Sequence, residues 1–219
     1  MNPDRIKRSH NRLRAAALGA LVLASACSSA AKKTTTAAIS NQPPGVVIGK
    51  PLPTRAVSQA DVDFMTGMIS HHAQAIVMSR WCPTHGGSAS LKILCERIIV
   101  AQKDEIGLMS TWLGDHGKPV PQDPVMHAGM AGMNHEMMPG MLTDEQMKQL
   151  DAARNGEFER LFLTFMIQHH QGAIAMVDKL LASYGAAQDD LVYKVASDVW
   201  ADQMAEIKRM QLMLDALGN

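Results

Sequence analysis

The sequence predicts an all-α domain, a four-helix bundle made of two repeated helical hairpins with a long Met/His-rich crossover between them. Three observations lead there. The stretch Asp63-Phe64-Met65-Thr66-Gly67-Met68-Ile69-Ser70-His71-His72-Ala73-Gln74-Ala75-Ile76-Val77-Met78 returns 98 residues later as Leu161-Phe162-Leu163-Thr164-Phe165-Met166-Ile167-Gln168-His169-His170-Gln171-Gly172-Ala173-Ile174-Ala175-Met176, with both histidines and most apolar positions kept. Downstream, Gln102-x-x-Glu105-Ile106 returns 101 residues later as Gln203-x-x-Glu206-Ile207. Each unit is therefore a His-His helix, a connection and a Gln-x-x-Glu helix, and one such pair cannot bury its apolar face alone. Third, no stretch sustains strand alternation, while apolar residues recur at helical spacing.

Taken in order, the chain opens with a basic head (Arg5, Lys7, Arg8, Arg12, Arg14), an apolar run from Ala15 to Ala26 and then Cys27-Ser28-Ser29. This is the pattern of a secretory signal, with a run too short to span a membrane. Leu23-Ala24-Ser25-Ala26-Cys27 further resembles a bacterial lipobox. Cys27 would then carry a lipid anchor and tie the mature protein to a membrane of the cell envelope, ordinary secretion being the alternative. Residues 28–56, rich in Ala, Thr, Ser, Lys and Pro, lack an apolar period and read as a flexible tether. The folded domain covers residues 57–219. With 21 basic and 21 acidic residues the formal charge is zero, and no basic face offers itself to nucleic acid.

Ser58-x-x-Asp61 caps a first helix over about residues 60–81. A second covers about 89–113 and stops at Gly114-Asp115-His116-Gly117 with Pro119. Residues 114–142 form the crossover. Thr143-x-x-Gln146 is a capping box for a short helix reaching about Ala153. The last two helices cover about 157–184, ended by Gly185, and about 188–217.

Helical spacing puts Phe64, Met68, His71, Ala75 and Met78 on one stripe and Phe162, Met166, His169, Ala173 and Met176 on its twin. On the partner helices Gln102 and Glu105 align with Ile98, Met109 and Trp112, as Gln203 and Glu206 do with Val199, Met210 and Met213. Polar groups in core-facing stripes must meet one another, water or a metal, because burying them unpaired costs several kcal/mol. Two readings follow: a purely structural His–Glu network, or metal ligation by part of it with Gln102, Glu105, Gln203 and Glu206 in support. Adjacent histidines point about 100° apart on a helix, so one of each pair would ligate while His72 and His170, or their neighbours, face a groove.

Donor softness selects the metal. Thioether sulfur suits Cu(I), and imidazole suits both copper oxidation states, so Cu(I) is favoured and Cu(II) remains possible. The crossover concentrates the same donors where no core requires them, in Met126, His127, Met130, Met133, His135, Met137, Met138 and Met141, unless these methionines fold back onto the bundle. A di-iron carboxylate centre does not fit, since it requires Glu followed three residues later by His. With no nucleophile, Gly-rich cofactor loop or paired acid in view, a non-enzymatic protein is expected. Cys82 and Cys95 bracket the first interhelical loop and read as a disulfide in an oxidising compartment, the alternative being a Cys/His site with His85.

Met-Ile-x-His-His-x-x-Ala-Ile-x-Met, the downstream Gln-x-x-Glu-Ile-x-x-Met, Met138-Pro139-Gly140-Met141 before a capped helix, and Gly156-x-Phe158-x-x-Leu161-Phe162-Leu163 together resemble the bacterial family called domain of unknown function 305. The resemblance covers about Val57 to Leu214. It implies a ferritin-like bundle, often exported, with relatives that bind copper in the periplasm and are associated with copper resistance. Their His and Met ligands correspond here to Met68, His71, His72, Met78, Met166, His169, His170 and Met176.

Overall fold

The computed structural model describes residues 57–122 and 138–218. Among them are five helices and no strand: α1 (Gln59–Arg80), α2 (Ala89–Asp115), α3 (Asp144–Ala152), α4 (Asn155–Ala182) and α5 (Asp190–Leu217). The hairpin partners α1/α2 and α4/α5 pack along their lengths, α1 lies against α4, α3 caps α4, and α2 touches α5 only lightly. No helix among the described residues is long and apolar enough to cross a membrane. The lipobox cysteine Cys27 lies outside the described residues, as do Met126, His127, Met130, Met133, His135 and Met137.

The helix ends are fixed by side chains that also tie one element to another. Ser58 and Asp61 form a reciprocal capping box on α1, and the second oxygen of the buried Asp61 carboxylate accepts the Ala187 N–H at 2.7 Å. That bond holds Ala187 at φ 52° in the α4–α5 turn, a conformation L-residues seldom adopt. Thr143 and Gln146 box the start of α3. Asp189 caps α5 through Leu191 N–H and Val192 N–H and also accepts the Trp112 indole N–H at 3.1 Å, joining α2 to α5. Glu159 on α4 accepts both the N–H (3.1 Å) and the hydroxyl (2.7 Å) of Ser88, the N-cap of α2. A carboxylate is well placed there, at the positive end of the helix dipole.

The helix boundaries differ from the sequence reading by one or two residues, α2 running on to Asp115 and α5 starting at Asp190. α4 begins at Asn155 rather than Glu157, because Asn155 sits at φ 54° and its N–H donates to the His85 carbonyl at 2.7 Å. It ends at Ala182, before Ser183 turns extended and Gly185 adopts φ 76°. Cys82 and Cys95 form a disulfide, with 6.5 Å between their α-carbons. His85 consequently belongs to no thiol site. It bonds Asp151 on α3 and Thr84, and stacks against Trp81 and Phe158.

The apolar interior is two clusters. One gathers Ala75, Met78, Cys82, Ile98, Phe158, Phe162 and Met166; the other gathers Phe64, Met68, Met109, Ala173, Val177 and Val199. On both α1 and α4 the His-His pair lies between them in sequence, at the level where the two helices cross.

Candidate metal centre

At that crossing the repeat becomes geometry. His71 and His169, equivalent residues of the two copies, bring their rings to a centroid separation of 3.8 Å, and both are fully buried. Their neighbours turn to the partner helices: His72 Nε2 lies 2.7 Å from Glu105 Oε2, and His170 Nε2 lies 2.6 Å from Glu206 Oε2. The second contact is a well-formed hydrogen bond, whereas the first is close but poorly aligned for one. His72 and His170 are also fully buried. The expectation that one histidine of each pair faces a groove is therefore corrected, because Glu105 and Glu206 reach over from α2 and α5 and close the core above them.

Burial sets the protonation state. Desolvation, reinforced by the neighbouring histidines His72 and His170 and opposed by the Pro139 carbonyl, pushes His71 down to about 3. Desolvation and the charges His71, His170 and His72 would carry likewise hold His169 well below the ordinary imidazole range, with the His71 backbone acting weakly the other way. Both rings are neutral at physiological pH, the form in which imidazole donates a lone pair. Nδ1 of His71, His72 and His170, and both ring nitrogens of His169, have no hydrogen-bond partner among the described residues.

A strap locks the crossing. Met138-Pro139-Gly140-Met141 is a turn closed by Met141 N–H to Met138 O, with Gly140 at φ 77°, which is what a type II turn with Pro second and Gly third requires. His71 Nε2–H donates to Pro139 O at 3.0 Å. Gln74 donates to Leu142 O (3.0 Å) and accepts Leu142 N–H (2.8 Å), mimicking a strand pairing inside the core. On the α4 side the turn rests on bare backbone: a Cβ at Gly172 would stand 2.0 Å from Pro139 O and 2.5 Å from Gly140 Cα. Gln74 and Gly172 are the same position of the repeat. Neither was singled out as functional from sequence, and the signal available was that the two copies disagree there.

The methionines expected as ligands do not converge on one point. Met68 and Met166 stand three residues from their histidines and are fully buried beside them. Met78 and Met176 stand seven residues away, about 10 Å along the helix axis, too far to share an ion with the histidine of their own helix. Because α1 and α4 run antiparallel, Met78 joins Met166 in one apolar cluster and Met176 packs with Met68 in the other. Met141, the last residue of the strap, is buried. Met138 and Met176 meet over Gly67, whose missing Cβ would lie 3.6 Å from the Met138 sulfur and 3.3 Å from the Met176 methyl. They line a cleft of ≈ 420 Å³ together with Asp63, Pro139, Lys179 and Ser183. Gln102 and Gln203 are buried behind the histidine pairs. Among the described residues no three His, Cys, Asp or Glu side chains stand so as to hold one ion. An ion in the core would therefore use thioether sulfur beside imidazole.

The profile of the family described as domain of unknown function (DUF305) matches residues 61–214. The chain belongs to the DUF305 family. Among solved structures it is similar to a DUF305 fragment from Deinococcus radiodurans, with TM-score 0.63 and 26% identity over 73% of this chain and 98% of that one. It is similar also to a candidate secreted DUF305 protein of Streptomyces coelicolor, with TM-score 0.62 and 28% identity over 73% and 94%. CopM in its Cu(II)-bound form matches with TM-score 0.58 and 31% identity over 71% of this chain and 96% of CopM, and CopM has also been solved with Cu(I) and with silver. A 55-residue stretch is 36% identical to uncharacterized protein L153 of Acanthamoeba polyphaga mimivirus and spans 36% of that protein.

Proposed function

We propose that this DUF305 protein is an exported, non-enzymatic copper-binding protein that sequesters or hands on copper at the cell envelope, anchored through a lipid on Cys27. Copper is its cargo. The observation that carries the reading is the contact of two neutral, buried imidazoles, His71 and His169, with Met68 and Met166 one turn away, in which His71 Nδ1 and both nitrogens of His169 have no partner among the described residues. Soft sulfur with neutral nitrogen is the donor set that Cu(I) prefers. Glu105 and Glu206, at the Nε2 atoms of His72 and His170, orient those rings so that Nδ1 is the atom left to bind, in the manner of carboxylates behind metal-bound histidines. Met138 and Met176 at the floor of the cleft are the first thioethers an ion entering from that side meets. The likeness to CopM, which was solved with copper and silver bound, supports the same reading, as does the candidate secreted relative for export.

A second reading is favoured by the His–Glu pairs and the His71–Pro139 bond. These would specify the bundle even without metal, making the protein a structural or partner-binding helical module. Titration of the mature chain with Cu(I) against a competing chelator separates the two. Replacing His71 and His169 together by Leu removes the nitrogens while keeping an apolar core, and should weaken binding by about tenfold or more if they ligate. Loss on changing Met130, Met133, Met137 and Met138 to Leu instead places the main site in the crossover. Binding no tighter than that of an unrelated Met-rich helical protein refutes the copper reading.

A further inference from the structure

One side of α2 packs into the core, while the other leaves Ile93, Val100 and Leu108 53%, 62% and 45% exposed. Together with the exposed Arg97, Ala101 and Asp104 they recur at helical spacing and form one solvent-facing stripe about 22 Å long. Large apolar side chains aligned in this way mark a contact surface. The stripe opens onto a concave strip: a hollow beside Ile93 and Val100 shares Arg97 and Ala101 with the groove between α2 and α5. Ala205 and Arg209 join that groove to a further hollow at the exposed Leu212. The order of groups along the stripe is self-complementary. Turned about a twofold axis between Val100 and Ala101, it sets Ile93 on Leu108, Arg97 on Asp104 and Val100 on Ala101, each pair equidistant from the axis. None of the ion pairs among the described residues uses Arg97, Asp104, Asp202 or Arg209. Burial and the charges of Glu105, Glu206 and Asp198, against Lys194, raise the Asp202 carboxyl beside the Asp104 end, an excess of acid that a basic group from outside would relieve.

We propose that this face is the interface of a homodimer, in which α2 packs antiparallel against α2 of a second copy and α5 flanks the contact. An unrelated surface would have to supply apolar, acidic, small, basic and apolar groups in the reverse order, which a second copy does by symmetry. The apolar pairs provide affinity. The Arg97–Asp104 contact, formed twice, fixes direction, because a parallel arrangement would set Arg97 on Arg97 and Asp104 on Asp104. A strip of this length belongs with small, reversible interfaces, so the dimer should form and dissociate with concentration. Association through this face does not depend on whether His71 and His169 bind copper.

The test is sedimentation equilibrium of the metal-free mature chain over about a hundredfold range of concentration, with Cys27→Ser to exclude both a lipid and an intermolecular disulfide. A reversible monomer–dimer equilibrium is expected. Val100→Asp, at an exposed position, should weaken the dimer by about tenfold or more. Arg97→Asp and Asp104→Arg should each weaken it by about fivefold, and the two changes in one chain should restore it, since the swapped charges meet again across the axis. Ala101→Cys should cross-link two chains under mild oxidation, whereas Lys103→Cys, exposed on another side of α2, should not. Circular dichroism verifies that each variant is folded. A chain that stays monomeric throughout overturns the proposal and leaves the face to a different protein. A dimer unmoved by both Val100→Asp and Arg97→Asp also overturns it, as does a double charge swap that recovers nothing.

Discussion

Gly172→Ala is a change whose sign depends on the strap. On helix propensity alone, alanine in the middle of α4 should stabilise by up to about 1 kcal/mol. The structure requires the opposite. The added methyl would lie 2.0 Å from Pro139 O, 2.4 Å from Pro139 C and 2.5 Å from Gly140 Cα, all backbone atoms that no rotamer change can move. The turn must lift off α4, and with it go the His71–Pro139 bond and the two Gln74–Leu142 bonds. At about 1 kcal/mol each these amount to about 3 kcal/mol, leaving a net loss near 2 kcal/mol after the propensity gain. For a domain of this size the melting temperature falls by about 4–8 °C. Urea unfolding followed by circular dichroism measures the loss. Gly107→Ala, where a Cβ would meet nothing within 4 Å, serves as the control and should gain about 0.5–1 kcal/mol. A Gly172→Ala protein as stable as the unaltered one would refute the seating of the strap on α4.

Three further outcomes follow. His71 and His169 have folded-state pKa values below the unfolded value, so their contribution is complete above about pH 6.5 and is lost as pH falls, for His71 down to about 3, by about 1.4 kcal/mol per pH unit for that ring. Equal urea midpoints at pH 7 and pH 5 would show the rings are not buried in neutral form. Replacing Cys82 and Cys95 by Ser should cost about 3 kcal/mol, and reductant should lower the urea midpoint of the unaltered chain but not of this variant. Glu159→Gln removes the charge and one acceptor at the start of α2 and should cost about 1–2 kcal/mol, with faster amide exchange at Ser88 and in the first turn of that helix.

Much of this was legible in the sequence because it rests on local rules. Ser58/Asp61 and Thr143/Gln146 announce their helix starts with residues three apart, and the twofold His-His with Gln-x-x-Glu dictates which helices pair. The equivalent stripes placed His71 and His169 at core-facing positions, but did not say which of the histidines would touch. What could not be read is what depends on distance across the fold. Nothing near Asp61 says that it will hold Ala187, 126 residues away. The equal burial of His72 and His170 needed the reach of Glu105 and Glu206 from the other helices. The division of the four methionines between two clusters follows from the antiparallel crossing of α1 and α4, which the 98-residue offset alone does not express. The strap's seat was visible only as a mismatch, Gln74 against Gly172.

That mismatch has a larger consequence. If the two hairpins were identical, His71 and His169 would lie on a true twofold axis, and a single strap could settle in either of two equivalent orientations. Joining the copies in one chain freed each to specialise: one keeps an amide that grips Leu142, the other keeps a bare helix face that admits Pro139. The degeneracy is removed, and the centre acquires a front and a back, a thioether cleft on one side and a wall of carboxylates on the other. An ion bound as proposed would meet thioethers on one face and carboxylates on the other, a distinction that a symmetric pair of hairpins cannot make.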